Sequence, residues 1–260
     1  SQSRLPFVAA MGADSVILPG RELMPAQRAV FQHLVDATFL HRRSCDRRGR
    51  MPHSLRLRLV KQCTQHAENF ELWRRILMEQ QPAGCDELIP QVRTSSHFGD
   101  CERSINECYL FHGTSWQNAV QILQSGFRNK NIPGDWTDRK PMFQGGIYFA
   151  ECASKADEYS EPSEALMRAI GTAKPLLTLL LCRVLLGKLW RTTRPHRDVS
   201  IQKLLDANSA NSVVCDLEAT CDTYREFILP ESDSDLILPE FLLIYERSYA
   251  SSKSRRWLRP

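Results

Sequence analysis

An α+β domain with a helical N-terminal lead is the fold class that the sequence predicts. Segments with apolar residues at helical spacing alternate with short apolar runs of strand length along most of the chain. The composition, with 42% apolar and 25% charged residues, is ordinary for a soluble globular protein. We find no internal repeat and no linker between two folded units. The 260 residues therefore fit a lead over 1–54 with one helix and a basic loop, one domain over 55–248 and a basic tail over 249–260.

The first third of the chain predicts two clear helices and one strand. The first helix covers 25–39, where five apolar residues recur at helical spacing: Ala26, Val30, Phe31, Leu34 and Val35. Residues 55–59 alternate between leucine and arginine, which predicts a strand with one solvent-facing side. The second helix covers 68–78 and has an apolar side, and a further short helix is predicted around 87–92.

The rest of the chain predicts the main sheet. Strands are expected over 108–111, 146–149, 176–185, 213–217, 226–229 and 241–245. Helices are expected over 117–124, 154–159 and 200–207, and a polar loop over 129–142. The run 176–185 is almost entirely apolar and rich in leucine, which is typical of a central strand buried on both faces. A helix is the alternative there, but it is less consistent with Gly187.

Basic residues concentrate in two segments, although the formal net charge is only +4. Segment 42–61 carries eight cations and a single acid, Asp46, while the end of the chain from Arg247 carries five cations and no acid. Such a segment could bind a nucleic acid or another anionic partner. The alternative is a solvated rim with a frayed tail, which the lack of interleaved aromatic residues favours.

Neither a membrane span nor a secretory signal is predicted. The longest strongly apolar run, 175–186, contains Thr178 and Arg183 and is too short to cross a bilayer. The N-terminus lacks the apolar stretch of a signal peptide. Nine cysteines without any Cys-x-x-Cys pair are expected to stay reduced and to bind no zinc. We therefore expect an intracellular protein, cytoplasmic or nuclear.

Two glycine-containing motifs carry the strongest functional signal. His112 and Gly113 end the apolar run of the first motif, 110–114. About thirty residues later, the second motif, 143–150, places two glycines before an aromatic-rich run that contains Tyr148. Glycine lets the backbone approach a ligand closely, and an aromatic face offers area for stacking. The two motifs together predict a site for a flat, polar ring.

A carboxylate inside a third strand completes the set. Glu226 lies in the strand-like run 224–229 near the C-terminus. Three other acids in this part of the chain are alternatives for the same position: Glu218, Glu231 and Glu240. Glu226 is preferred because it alone precedes a Phe-Ile-Leu strand.

In this order, His112, Tyr148 and Glu226 resemble the catalytic core of the poly(ADP-ribose) polymerase family of ADP-ribosyltransferases. The resemblance covers about residues 40–248, and the two glycine motifs are highly specific when found together. Residues 45–49 also look like a leader seen in some family members. The resemblance implies an α+β ADP-ribosyltransferase fold, with an antiparallel-rich split β-sheet and flanking helices.

The resemblance also implies a role for each residue in cleaving the bond between nicotinamide and ribose in NAD, the co-substrate. Such a bond breaks through an oxocarbenium-like state. Gly113 would bind the carboxamide through its backbone, and His112 would bind a ribose hydroxyl on the adenosine side. Tyr148 and Tyr159 would sandwich the nicotinamide ring. Glu226 would bond the 2′-hydroxyl of the other ribose, stabilise the cation and help activate the acceptor.

Thr114 and Ser154 complete the predicted NAD-binding residues, and one position departs from the family pattern. Where many members have a serine that donates to the carboxamide, this chain has Ala156. One hydrogen bond is therefore missing unless Ser154 or a water supplies it. The loop 127–143 lacks the Cys and His residues of zinc-binding members, so no metal is implied. The same loop holds three candidate partners for the NAD phosphates: Lys130, Arg139 and Lys140.

We therefore expect an NAD-dependent ADP-ribosyltransferase, a glycosyltransferase of the pentosyl-transferring class, that modifies protein side chains. One alternative is a catalytically silent module that binds NAD or ADP-ribose, although the intact His-Tyr-Glu set argues against it. The other is an RNA-directed transferase of the same superfamily, which needs a stronger basic groove near the site. The segment 194–223, which would border the acceptor, favours single transfer or short chains because it is short and lacks a glycine-rich loop.

Overall fold

Nine strands form one sheet in the structure, a computed structural model that describes residues 18–80, 89, 91–128 and 141–250. In chain order the strands are β1 (Arg21–Glu22), β2 (Ser54–Gln62), β3 (Glu107–Thr114), β4 (Gly146–Ala150), β5 (Leu177–Leu185), β6 (Leu189–Thr192), β7 (Ser212–Asp216), β8 (Arg225–Pro230) and β9 (Ile237–Ser248). Their order across the sheet is β1-β2-β9-β5-β3-β4-β8-β7-β6. Every pairing is antiparallel except the parallel pair of β6 and β7.

Seven α-helices flank this sheet within the described ranges. They are α1 (Pro25–Ala37), α2 (Ala67–Gln80), α3 (Trp116–Ser125), α4 (Ala153–Ala156), α5 (Glu164–Ile170), α6 (Ile201–Asn208) and α7 (Glu218–Cys221). Short 3₁₀ helices lie at Arg103–Ile105, Gly126–Arg128, Asp157–Tyr159 and Glu231–Leu236. No helix of the described ranges is both long enough and apolar enough to cross a membrane.

The central position of β5 follows from its composition. β5 lies between β3 and β9, and all of its side chains are buried except the half-buried Arg183. A strand that is covered on both faces needs apolar residues at successive positions and not only at alternate ones. The prediction of a buried central strand over 176–185 is therefore confirmed.

The sheet opens between β3 and β4. β3 pairs with β5 along its whole length, from Glu107 opposite Leu185 to Thr114 opposite Thr178. With β4, by contrast, β3 forms a single pair, Phe111 opposite Ala150. Within the part of the chain that the structure describes, no strand pairs with the β4-facing edge of β3 beyond Phe111. Within the described residues, the ladder of β3 and β4 is therefore limited to this one pair.

Three apolar clusters hold the helices on the sheet. The largest contains buried residues of α2 and α3 with one face of the central strands, including Leu110 and Phe227. A second cluster joins α1 to the other face around Phe111, and it extends to Ala153 and Ala156 of α4. The third places α6 over β7 and β8, including Ile228. The N-terminal helix thus packs directly on the sheet.

Most predicted helices and strands are confirmed, with ends that differ by a few residues. The predicted helix over 154–159 is instead the single turn α4 followed by a 3₁₀ turn at Asp157–Tyr159. The short strands β1 and β6 and the short helices α5 and α7 were not predicted, because none spans enough residues to show a period. Half of the helix expected around 87–92 lies outside the described residues, and the described positions 89, 91 and 92 are not helical. Most of the loop expected over 129–142 also lies outside the described residues.

Candidate functional site

His112 lies beside the split, on the part of β3 that β4 leaves unpaired. Its ring contacts Phe127 edge to face, with 5.0 Å between centroids, and lies 5.6 Å from the ring of Phe149. Its Nδ1 atom is 2.9 Å from the backbone carbonyl oxygen of Tyr148 on β4. The histidine side chain therefore links the two strands where their backbones diverge.

These contacts fix the protonation state of His112. A carbonyl oxygen can only accept, so Nδ1 carries the proton and donates it to Tyr148. Burial lowers the pKa of His112, against the opposing effect of this hydrogen bond. The ring is thus neutral near pH 7, and its Nε2 atom has a lone pair that can accept a hydrogen bond from a hydroxyl group.

Tyr148 is held in one orientation by its hydroxyl group. The hydroxyl accepts from the backbone N–H of Phe143 and donates to the carbonyl of the same residue, both at 2.7 Å. Burial raises the pKa of Tyr148, so the phenol stays neutral. The ring is half-buried, and an aromatic ring that is fixed at its polar end presents a rigid surface for stacking.

Glu226 lies on the same face of the sheet as Tyr148. In the ladder of β4 and β8, Ala150 is opposite Glu226 and Tyr148 is opposite Ile228. Directly opposed residues share a face, and so do residues two apart in one strand. Glu226 is only 4% exposed. Burial raises the pKa of its carboxyl, while the charge of Lys155 lowers it.

Lys155 is the cation beside Glu226, and it lies on α4. Its Nζ atom is 3.3 Å from Oε1 of Glu226, and the lysine side chain is 2% exposed. Nζ also contacts four other side chains: Asp46 at 2.7 Å, Tyr159 at 3.1 Å, Glu158 at 3.2 Å and Ser44 at 3.3 Å. Burial alone would lower the pKa of Lys155, but the surrounding carboxylates raise it well above its ordinary value. Lys155 therefore stays charged.

Tyr159 offers an exposed ring next to this cluster. Its hydroxyl donates to Oδ2 of Asp46 at 2.8 Å and accepts from Lys155. The residue is nevertheless 46% exposed, so part of its surface is open to solvent. Among the ring contacts of the described residues, none joins Tyr159 to Tyr148. The predicted sandwich around nicotinamide stays a prediction.

Gly113 is required by the close approach of α4 to β3. A Cβ atom at this position would lie 1.8 Å from the carbonyl oxygen of Ala156. A side chain at Gly113 would thus displace α4, which carries Lys155. The glycine is needed for this contact between protein segments, whether or not its backbone also binds a ligand.

The two remaining predicted NAD-binding residues are buried. The carbonyl oxygen of Thr114 accepts from Oγ1 of Thr178 at 3.1 Å. The hydroxyl of Ser154 accepts from the backbone N–H of Leu40 at 3.0 Å and lies 3.2 Å from the hydroxyl of Tyr224. Ser154 would have to leave these partners to contact a ligand. Its role in binding NAD stays a prediction, and so does that of Thr114.

Residues 40–47, which we name the strap, reach this site from the N-terminal lead. Arg47 is buried and forms an ion pair with Asp157 at 2.5 Å. Its guanidinium also donates to the carbonyl of Ser154. The strap brings Asp46 to Lys155, and sequence reasoning missed this acid because it is 109 positions from the lysine. The family-like leader over 45–49 was the signal that could have identified it.

The basic segment 42–61 is partly used inside the protein. Three of its cations form ion pairs: Arg42 with Glu218, Arg47 with Asp157 and Arg58 with Glu246. Others are exposed, among them Arg43, Arg48 and Arg56. Binding of a nucleic acid or another anionic partner stays a prediction, and the exposed cations are fewer than the sequence suggests. Most of the basic tail lies outside the described residues.

The loop after α3 was predicted to hold candidate partners for the NAD phosphates and no metal ligands. The candidate phosphate partners Lys130, Arg139 and Lys140 lie outside the described residues. Among the residues that the structure describes, no group of three or more His, Cys, Asp or Glu side chains is placed to hold a metal ion.

Comparison with known proteins decides the family. A family model of the poly(ADP-ribose) polymerase catalytic domain matches residues 59–229, about two-thirds of the chain. The chain belongs to this family. Its α+β fold, with a sheet that is split between β3 and β4, is the fold that the resemblance implied. A search of curated proteins found no significant match.

Membership of the poly(ADP-ribose) polymerase catalytic domain family sets the general chemistry. Domains of this family use NAD as a substrate and transfer ADP-ribose, in general to protein acceptors. The matched region contains His112, Tyr148 and Glu226, whereas the strap precedes it.

Proposed function

We propose that the chain transfers ADP-ribose from NAD to protein side chains and releases nicotinamide. One observation carries the proposal. The buried carboxylate Glu226 shares a face of the sheet with Tyr148, whose carbonyl is bonded by His112. The three residues of the predicted catalytic set thus lie on the adjacent strands β3, β4 and β8, around the split in the sheet.

His112 would bind the adenosine end of the substrate. Its Nδ1 proton is already donated to Tyr148, so Nε2 is the atom that can accept a hydrogen bond from a ribose hydroxyl. The lowered pKa of His112 keeps this acceptor unprotonated near pH 7. A protonated ring would lose the acceptor, and we therefore expect the site to require neutral His112.

The nicotinamide end would be bound by backbone and aromatic surfaces. The open edge of β3 offers the backbone of Gly113, with no strand of the described residues paired there on the β4 side. Tyr148 and Tyr159 offer rings that are fixed at their hydroxyl groups. Rigid binding of this kind orients the bond to be cleaved before reaction.

Glu226 would stabilise the reacting sugar. Its carboxylate would accept a hydrogen bond from the 2′-hydroxyl of the ribose that carries nicotinamide. A negative charge there favours the positive charge that develops on the sugar as the bond to nicotinamide breaks. The bonding electrons leave with nicotinamide, the acceptor side chain forms the new bond to the sugar, and Glu226 helps to remove the acceptor's proton. This role requires ionised Glu226.

Incubation of the protein with NAD and an acceptor protein mixture tests the proposal. Released nicotinamide is quantified by chromatography, and the covalent gain of ADP-ribose on protein is measured by mass spectrometry. We expect both products in equal amounts in the first turnovers. Nicotinamide without any protein adduct would indicate hydrolysis of NAD instead of transfer.

Two other outcomes would replace the proposal. Binding of NAD without nicotinamide release would identify a silent binding module. Label from NAD that appears on added RNA and not on protein would identify an RNA-directed transferase. The same incubation, with NAD labelled in the adenine ring, distinguishes all three cases.

A further inference from the structure

The shortest contact of Lys155 with a carboxylate is made with Asp46 of the strap and not with Glu226. Nζ of Lys155 lies 2.7 Å from Oδ2 of Asp46 but 3.3 Å from Oε1 of Glu226. The same Oδ2 atom accepts a hydrogen bond from the hydroxyl of Tyr159 at 2.8 Å. One carboxylate oxygen therefore holds both the cation beside Glu226 and the exposed aromatic ring beside it.

We propose that Asp46 is a positioning residue of the transfer site, which orients Tyr159 and sets how closely Lys155 approaches the Glu226 carboxylate. This inference rests on the proposed transfer of ADP-ribose. Asp46 lies before the region 59–229 that matches the family model, so the contact comes from a segment outside that region. The N-terminal lead would therefore contribute a residue to the transfer site of the catalytic domain.

The strap holds Asp46 in register with both parts of the site. At one end, the carbonyl of Arg42 accepts a hydrogen bond from the hydroxyl of Tyr224 at 2.6 Å. Tyr224 lies two residues before Glu226 on the chain. At the other end, the buried guanidinium of Arg47 pairs with Asp157, directly after α4. Asp46 lies between these two attachments. Its position is therefore fixed relative to the strand of Glu226 and to the helix of Lys155.

The charges around Glu226 show what Asp46 changes. The titratable groups that face Glu226 come from five elements. They are Asp46 from the strap, Lys155 from α4, Glu158 and Tyr159 from the 3₁₀ turn after α4, Tyr148 from β4, and Cys215 from β7. Lys155 is the cation in this set, and Asp46 competes for it. The two carboxylates contact the same Nζ, so they also repel each other at short range.

Neutralising Asp46 should therefore change the pKa of Glu226 in a defined direction. Burial raises the pKa of Glu226, Lys155 lowers it and Asp46 raises it. With Asp46→Asn the repulsion is lost, and Lys155 is free to move toward Glu226. Both effects lower the pKa of Glu226. The carboxylate then stays ionised to lower pH, and the acidic limb of the pH–rate profile moves in the same direction.

The experiment compares Asp46→Asn with the parent protein in two measurements, after thermal unfolding has shown that each variant is folded. The first is the pH profile of nicotinamide release from NAD. The second is the affinity for benzamide, a mimic of nicotinamide, measured by calorimetry. Asp46→Glu retains the charge and serves as the conservative variant. Asp36→Asn is the matched control, because it removes the same charge from an exposed helical position whose carboxylate accepts a hydrogen bond from Gln32.

We expect the acidic limb of Asp46→Asn to move to lower pH and the affinity for benzamide to fall about three- to ten-fold, since the anchor of Tyr159 is weakened. The limb should stay near that of the parent in Asp46→Glu and in Asp36→Asn. An acidic limb that does not move, or that moves to higher pH, would overturn the inference even if activity falls. If Asp46→Asn does not fold, Asp46→Ser provides the same neutral test.

The outcomes separate this inference from the proposed function. If the parent releases nicotinamide and Asp46→Asn has an unchanged pH profile, the inference is wrong and the function stands. If the parent binds benzamide without turnover, the proposed function is wrong, and unchanged benzamide affinity in Asp46→Asn would overturn the inference as well. If the parent neither turns over NAD nor binds benzamide, both are wrong.

Discussion

The Nζ atom of Lys155 lies 3.3 Å from Oε1 of Glu226, and both side chains are almost completely buried. An isolated buried carboxylate would tend to take up a proton, because burial raises its pKa. The lysine counteracts this effect on Glu226. Burial is the larger effect, so the pKa of Glu226 still lies above its ordinary value. In the proposed reaction the ion pair would help to keep this carboxylate charged.

Replacement of Lys155 by Met should move the acidic limb of the pH–rate profile to higher pH. The reason is that the attraction that lowers the pKa of Glu226 is lost, while burial still raises it. Ionised Glu226 would then be available only at higher pH. The shift has the opposite sign to that expected for Asp46→Asn.

The control for this variant is Lys174→Met, which removes a lysine that is 64% exposed and pairs with Glu246. Its pH profile should equal that of the parent. Removing one partner of a buried ion pair costs about 3 to 5 kcal/mol, so folding of Lys155→Met must be verified first. A limb at the parent position in folded Lys155→Met would contradict the assignment of Glu226 as the group that titrates.

The close approach of β3 and α4 predicts that Gly113→Ala destabilises the fold. The added Cβ would lie 1.8 Å from the carbonyl oxygen of Ala156, so the backbone must move. The expected loss is at or above the upper end of the roughly 1 to 3 kcal/mol that overpacking costs. Gly99→Ala is the matched control, since a Cβ there meets no atom within 4 Å, and its effect should stay within about 1 kcal/mol. Denaturant unfolding measures both, and equal stability would contradict the structure at this contact.

Ser154 and Ala156 predict opposite responses to single substitutions. Ser154→Ala should lower the free energy of unfolding by about 1 kcal/mol, because the part-buried N–H of Leu40 would lose its acceptor. The affinity for benzamide should change little. Ala156→Ser should instead tighten benzamide about three- to ten-fold by restoring the family's serine.

Calorimetry and thermal unfolding on the two variants check this pair. Weaker benzamide binding in Ser154→Ala without a change in stability would show that the Ser154 hydroxyl serves the ligand after all. No gain in Ala156→Ser would show that a water or another donor already contacts the carboxamide.

Sequence reasoning predicted the strands of the candidate site but not the network of charged side chains around Glu226. His112, Tyr148 and Glu226 could be proposed from the sequence because each lies in a local motif, in which glycine or apolar neighbours indicate the strand. Asp46 lies in the family-like leader and Lys155 lies next to Ser154, but neither local pattern shows their contact, which joins positions that are 109 residues apart. Pairing of this kind depends on the path of the strap, which local periodicity does not determine.

The same difference between local patterns and long-range contacts explains which parts of the fold could be predicted. Long periodic segments such as α1 and the apolar β5 were predicted from their own residues. The strands of the sheet were predicted, but their order was not, since it depends on which edges meet. The separate roles of Ser154 and Ala156, two positions apart on one short helix, likewise follow from which neighbours each one faces.

The products of transfer should be single ADP-ribose units or short chains. By the family resemblance a glutamate at position 226 would permit elongation, but elongation also needs a site for an ADP-ribose acceptor beside it. The segment 194–223 is short and offers no long glycine-rich loop. Gel electrophoresis after incubation with labelled NAD should show discrete bands near the mass of each acceptor. A ladder that extends to high mass would contradict this expectation.

Nicotinamide release by Glu226→Gln tests the central claim most directly. Glutamine has the shape of glutamate without the charge, so the affinity for benzamide should be retained while the rate of release falls on the order of 10²-fold or more. Glu231→Gln, at an exposed position just after β8, should release nicotinamide at the parent rate. If folded Glu226→Gln releases nicotinamide as fast as the parent, Glu226 does not stabilise the reacting sugar, and the proposed mechanism is wrong.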